Sequence, residues 1–412
     1  MVLSSLSFLD FGKVTKAVKI NFVDMKIRFW QKIAILVLAI FVSVVFFELL
    51  LRLTSAEPEN LAKLKSSSLF LYENKPNAQF TYGGERGEFN IEIKINNYGF
   101  RDEEFSKERP EGVYRIAVLG DSHEEALQVS LYDTWQKIMA AKLGQSLGKK
   151  VETYNFGISG YGTDQQWLTL KERVWQFSPD LVILAFSPND IGDTYKNKLV
   201  RLKEGKIDVI SAQERAGGNF LGRLLRNTYV YHLVVKVSSV NQLSKRVVDK
   251  IRVKILGFPP EGRFYLSDAQ LVSGPFEVIA SQKNPPKEVI ETWQLVVALL
   301  ADMKKQAQDH GAEFLVTINI PRNQVDEADW DKLRNQYHLD KESSMAYQIN
   351  DVLSQATNER DVTFYDPRLD AISWKEDKGI LHFPVDGHYN QNGHMFMGEK
   401  VADFILSNNL VE

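Results

Sequence analysis

From Ile33 to Leu51 the chain reads IAILVLAIFVSVVFFELLL, 19 residues in which Glu48 is the one strongly polar member. As a helix, this run is about 28 Å long, close to the roughly 30 Å of a bilayer's hydrocarbon core. Its apolar residues run all round the helix, so it has no polar face to turn to water while packing on a soluble core. Lys13, Lys16, Lys19, Lys26, Arg28 and Lys32 precede it against Asp10 and Asp24. That excess of cations predicts a cytoplasmic basic segment over 1–32, a membrane anchor over 33–53, and a chain outside the membrane, periplasmic or extracellular, from about Glu57 onward. Arg52 follows Glu48 at i+4, the spacing of a helical ion pair. Thr54-Ser55-Ala56 also offers a signal-peptidase pattern; the 32-residue leader and long apolar run favour an uncleaved anchor.

The remaining chain is ordinary in composition, and two of its numbers exclude chemistry. Lys plus Arg total 50 against 53 Asp plus Glu, a net charge of −3 that disfavours nucleic acid as a partner. The absence of cysteine removes disulfides, cysteine-ligated metals and a cysteine nucleophile.

Residues 57–112 are polar with short alternating runs such as Phe89–Ile95, closed by the turn signal Asn96-Asn97-Tyr98-Gly99, and predict a small β-rich apron. From Tyr114 the pattern becomes short apolar runs, YRIAVL, VETYNF at Val151, LVILAF at Leu181, FLVTINI at Phe314 and VTFY at Val362. Helix-compatible stretches lie between and after them at 134–147, 164–177, 287–310, 344–357 and 391–407. This alternation predicts an α/β fold, a doubly wound sheet of about five parallel strands over 113–412, with ligands beyond the carboxyl ends of the strands. Residues 201–286 hold no convincing β–α unit and read as an insertion. Within it, Leu233–Leu256 has the spacing of an amphipathic helix, either a solvated one or a lid or membrane-surface helix.

Three strand ends terminate in polar clusters. Gly120-Asp121-Ser122-His123 follows the first strand and sets a hydroxyl, a candidate nucleophile, at the sheet's edge. Asn155-Phe156-Gly157-Ile158-Ser159-Gly160-Tyr161-Gly162 follows the second and allows close backbone approach to a ligand. Ser187-Pro188-Asn189-Asp190 follows the third, with Asn189 a candidate amide donor. Near the C-terminus, Asp386-Gly387-His388 supplies a candidate base with a carboxylate two residues away. His382 is a second candidate base, but it sits in the apolar stretch Ile380–Pro384. His382, Asp386, His388 and His394 also have the side chains of a metal site, although a serine loop with two oxyanion-type loops needs neither metal nor cofactor. His394 reads as a helix-start packing residue, and His123 as a solvent-facing or supporting residue beside the nucleophile.

This ordered set resembles the SGNH hydrolases, the GDSL-like esterases and acylhydrolases, over roughly 114–408. The resemblance implies a flavodoxin-like sheet of five parallel strands. It also implies Ser122 as nucleophile, Gly160 and Asn189 in the oxyanion hole with the Ser122 N–H, and Asp386 and His388 as acid and base. Two blocks depart from the usual pattern: Ser-Pro-Asn-Asp stands for Gly-x-Asn-Asp, and Asp-x-His for the commoner Asp-x-x-His. The order of anchor, apron, Gly99-Phe100-Arg101-Asp102 and hydrolase blocks looks like bacterial membrane-tethered relatives associated with envelope polysaccharides. That layout implies an esterase acting on O-acetyl or other acyl esters, with a carbohydrate as the substrate. An O-acetyltransferase with the same triad and a non-catalytic polysaccharide-binding module are the alternatives.

Overall fold

The computed structural model describes residues 11–54, 63–211, 228–239, 263–265, 271–273, 276–339, 341 and 344–411. The chain forms two compact units, residues 1–58 with 223–248 and residues 59–222 with 249–412.

The first unit contains a 44-residue helix, Phe11–Thr54. Its stretch Phe29–Thr54 is long and apolar enough to cross a membrane and is not buried by protein. Against it lies the helix Tyr229–Ser239. Glu48 accepts the backbone N–H groups of Tyr229 (3.1 Å) and Val230 (2.9 Å), donors that the first turn of a helix cannot satisfy internally. Arg52 pairs with Glu48 at 2.8 Å and lies 5.0 Å over the Tyr229 ring. The one acid of the apolar run is thus used as a cap. The amphipathic helix expected over 233–256 starts earlier, at Tyr229, and residues 240–256 lie outside the described residues.

The second unit begins with two antiparallel hairpins. β1 (Leu64–Ser67) pairs with β2 (Leu71–Asn74), and β3 (Gln79–Gly83) with β4 (Asn90–Lys94). Then come β5 (Tyr114–Leu119), β6 (Val151–Asn155), β7 (Leu181–Phe186), the hairpin of β8 (Val200–Lys203) and β9 (Lys206–Val209), and the short pair β10 (Arg263–Tyr265) and β11 (Leu271–Ser273). β12 (Glu313–Ile318) and β13 (Thr363–Tyr365) close the set. The five apolar runs of the sequence form one parallel sheet, ordered β13-β12-β7-β5-β6. Every residue of β5 and β7 is buried, as expected of central strands covered by helices on both faces. The helix Lys287–Asp309 covers one stretch of the sheet with a stripe of Val289, Trp293, Val296, Leu300, Met303 and Ala307, spaced at helical intervals.

From β5 the chain steps to β6 on one side and then to β7 on the other. The carboxyl end of β5 is therefore a topological switch point, where the flanking loops diverge and leave a crevice. Ser122 sits there.

Local differences from the sequence reading have physical causes. The helix expected over 164–177 is α-helical only from Thr163 to Thr169, then passes through a π turn (Leu170–Val174) and a 3₁₀ turn (Trp175–Phe177). The helix expected from Ser344 begins at Gln348. Helices at Glu327–Tyr337 and Arg368–Lys378 were not expected, because they bury none and one of their residues respectively and so carry little apolar periodicity. The insertion does contain regular structure, β8 to β11 and the helices Tyr229–Ser239 and Phe276–Ala280.

Candidate active site

The Ser122 hydroxyl lies 2.8 Å from His388 Nε2, and His388 Nδ1 lies 2.7 Å from Asp386 Oδ1. The short Asp-Gly-His spacing works because Gly387 takes a left-handed φ of 86°, which folds the Asp386 carboxylate back onto the ring two residues later. The His388 N–H also donates to Asp386 Oδ1 (3.2 Å). Burial pushes the Asp386 carboxyl up, but its hydrogen bond from His388 and that ring's charge hold it below the ordinary aspartate value. Asp386 is therefore ionised at neutral pH and fixes the tautomer in which Nε2 faces the serine.

The other histidines are arranged differently. His382 is buried, with Nε2 2.8 Å from the Ile320 carbonyl and its ring against Tyr389. His394 is buried and accepts the Trp135 N–H through Nδ1 (3.3 Å). Burial lowers His382 to about 4 and His394 to about 3, so both stay neutral across the physiological range. Neither meets Ser122, and the four residues of the metal alternative do not converge. The His123 ring packs between His388 (4.9 Å) and Tyr389 (4.8 Å).

Asp121 organises the serine loop. Its Oδ1 accepts the His123 N–H (3.0 Å) and the Ser187 hydroxyl (2.8 Å), and its Oδ2 accepts the Asn189 amide (2.9 Å). The same amide donates to Asp193 Oδ2 (3.1 Å). Beneath lies Glu124, fully buried, which accepts Trp135 Nε1 (3.1 Å), Asn319 Nδ2 (3.1 Å) and the Asp121 N–H (3.1 Å). Burial first, and then the neighbouring Asp121 charge, push its carboxyl up to about 8. This polar web ties together the ends of β5, β7 and β12.

Gly160, in the loop after β6, has φ 75°, and a Cβ there would fall 2.8 Å from the Tyr72 hydroxyl. Tyr72, on β2, donates to the Ser159 carbonyl (2.9 Å), and Tyr161 donates back to the Tyr72 carbonyl (2.8 Å). Glu125 accepts the Ser159 N–H (2.9 Å) and, in a buried setting, Asn74 Nδ2 (2.9 Å) and Lys63 Nζ (2.6 Å). Arg101 donates to the carbonyls of Glu125, Ala126 and Val129, and Asp102 accepts the Asn155 N–H (2.8 Å) while pairing with Lys137 (2.6 Å). Glu88 spans the base loop, taking the N–H groups of Val385 (2.8 Å) and Asp386 (2.9 Å), and Phe89 packs on Phe383. The apron therefore holds the Gly160 loop through Lys63, Tyr72 and Asn74, and the His388 loop through Glu88.

Sequence reasoning missed these supports. Arg101 and Asp102 stand in a motif it singled out without a role. Lys63, Tyr72, Asn74 and Glu88 carry no local signal.

A parallel α/β sheet with a hydrogen-bonded Ser–His–Asp chain at its switch point is an arrangement found in serine hydrolases. Residues 118–396 match the GDSL-like lipase/acylhydrolase family, and the chain belongs to that family. No curated protein matches it in sequence. Among solved structures it is similar to TesA (14% identity, 72% of this chain and 99% of that one, TM-score 0.36). It is also similar to the psychrotrophic esterase EstA from Pseudoalteromonas sp. (13%, 72% and 98%, TM-score 0.35). A third is a catalytic mutant of Axe2, an acetylxylan esterase from Geobacillus stearothermophilus (11%, 73% and 95%, TM-score 0.37).

Proposed function

We propose that this acylhydrolase is membrane-anchored and removes O-acetyl or other small acyl groups from envelope or extracellular polysaccharide, with Ser122 as nucleophile. The observation that carries the site assignment is the continuous hydrogen-bonded line from Ser122 Oγ through His388 to Asp386. In the first step Oγ attacks the ester carbonyl while His388 Nε2 takes its proton. The oxyanion is met by the N–H groups of Ser122 and Gly160 and by the Asn189 amide, which turns from Asp193 toward the developing charge. Collapse expels the alcohol, which leaves with the proton from His388. Water, deprotonated by the same nitrogen, then hydrolyses acyl-Ser122 and releases the acid.

The anchor reading is supported by the unburied apolar stretch Phe29–Thr54; the excess of cations before it favours, by the positive-inside rule, residues 1–32 in the cytoplasm and the catalytic unit outside. The carbohydrate reading rests on the resemblance to envelope-polysaccharide relatives, and the name of Axe2 agrees with it. The test is a fluorophosphonate probe followed by intact mass, with turnover of 4-nitrophenyl acetate. Wild type is expected to gain one adduct and Ser122→Ala none, with kcat reduced about 10³-fold or more. Adduct formation or turnover that survives in Ser122→Ala removes the assignment.

A further inference from the structure

The Asn189 amide nitrogen carries two hydrogens, and both have carboxylate acceptors, Asp121 Oδ2 at 2.9 Å and Asp193 Oδ2 at 3.1 Å. The two acceptors are not equivalent. Asp121 is fully buried and also takes the His123 N–H and the Ser187 hydroxyl, so donors from two loops fix it. Asp193 stands on the helix Asp190–Asn197, one turn beyond Asn189, with its side chain 17% exposed. Its Oδ1 pairs with Lys196 at 3.3 Å, a lysine that is half exposed. Burial pushes the Asp193 carboxyl up, while the Lys196 charge and the Asn189 amide favour its ionised form.

An amide with both hydrogens taken cannot serve an oxyanion without releasing one acceptor. The Asp121 bond sets the orientation of the side chain, so the Asp193 bond is the one to be exchanged. The exchange is costly in two ways. A charge-assisted bond, roughly twice as strong as a neutral one, has to break. The released carboxylate then stays within a few ångströms of the charge that develops on the substrate oxygen and repels it. The surroundings are already acidic, since Asp121 and Glu277 both act on Asp193 through their charge. We infer that Asp193 is a positioning residue that competes with the oxyanion for the Asn189 amide and so restrains the rate of this enzyme. The inference rests on the esterase reading, with Asn189 in the oxyanion hole, and adds to it an acid that opposes the reaction.

The test uses the full-length chain and 4-nitrophenyl acetate. Asp193→Ala leaves the Asp121 bond in place and frees the second hydrogen, so kcat is expected to rise at least about threefold with KM within about twofold. Asp193→Asn keeps the size and offers a neutral acceptor; its kcat is expected to rise less, at least about 1.5-fold. A second readout is inhibition by ethylboronic acid, whose tetrahedral adduct on Ser122 carries the negative charge of the transition state; its inhibition constant is expected to fall with the rise in kcat. The third readout is the double variant: in an Asn189→Ala background, Asp193→Ala is expected to lose most of its gain. A merely structural role would lower activity and would not depend on Asn189. Thermal midpoints check folding, and if Asp193→Ala does not fold, Asp193→Asn decides. An unchanged or reduced kcat in the folded variants, or a gain as large without Asn189, would overturn the inference while leaving the esterase standing. Failure of wild type on every ester together with an unlabelled Ser122 would instead remove the esterase reading, and this inference with it.

Discussion

Lys63→Met isolates what the apron contributes. Lys63 and Glu125 form an ion pair at 2.6 Å with side-chain exposures of 6% and 0%. Burial drives the Glu125 carboxyl up, but the charge and hydrogen bond of Lys63, with the bonds from Ser159, hold it below the ordinary glutamate value. Methionine keeps most of the lysine's apolar stem and removes its charge, leaving a carboxylate in a buried site without its cation. Breaking a buried pair on one side costs about 3–5 kcal/mol, a large part of a typical total of about 5–15 kcal/mol. At roughly 1.5 °C per kcal/mol for a unit of this size, the midpoint of thermal unfolding should fall by about 4–8 °C. The sign of the pH dependence follows from the depressed value in the native protein. There the contribution of Glu125 is complete above about pH 4.3 and disappears as acid protonates the carboxyl. The gap between wild type and Lys63→Met should therefore be widest near neutrality and narrow as the pH falls, once the variant's uncompensated Glu125 carboxyl takes up a proton. Adding Glu125→Gln should recover most of the loss. Denaturant titrations from pH 3.5 to 8 measure all three variants. A loss under about 1 kcal/mol, or a gap that does not change with pH, would show that the pair is not holding the Gly160 loop as argued.

Glu88→Ala removes the acceptor for two backbone donors of the base loop, and kcat should fall about 10- to 100-fold with KM nearly unchanged; a change confined to KM refutes the positioning role. Glu124 has a native pKa near 8, above its unfolded value, so it stabilises fully in acid and its contribution is lost as pH rises through 8. Glu124→Gln should therefore gain on wild type by about 1 kcal/mol per pH unit between pH 6 and 8 in urea unfolding, and a pH-independent difference contradicts this. His382 and His394 are held near 4 and 3, so an acidic limb in kcat/KM above pH 5 does not come from them. His388→Gln should abolish most of the activity and His382→Gln should preserve it, while the opposite result would reassign the base.

The central strands β5, β7 and β12 were legible because they are buried on both faces and so read as nearly continuous apolar runs. The polar helix Glu327–Tyr337 was not, since it buries no residue and leaves no period to detect. The site blocks were legible for a local reason: glycine, aspartate, asparagine and serine cluster where a strand ends and a loop must hold polar groups. Their supports were illegible because each works across the chain. Lys63 reaches Glu125 over 62 positions, Tyr72 reaches Ser159 over 87, and Glu88 reaches Asp386 over 298. No window of sequence contains both ends of such a contact. Nor does the family pattern, which begins at residue 118, after every one of the apron residues.

His388, the hydrogen-bond partner of the Ser122 hydroxyl, lies 266 positions downstream, in the loop before the last helix. At a synthesis rate of roughly 5–20 residues per second, about 13 to 53 s separate the translation of the serine from that of its base. Throughout that interval the nascent chain holds a serine hydroxyl with no His388 to take its proton. On the proposed assignment, each molecule gains its activity only after its C-terminal segment has been made and has docked.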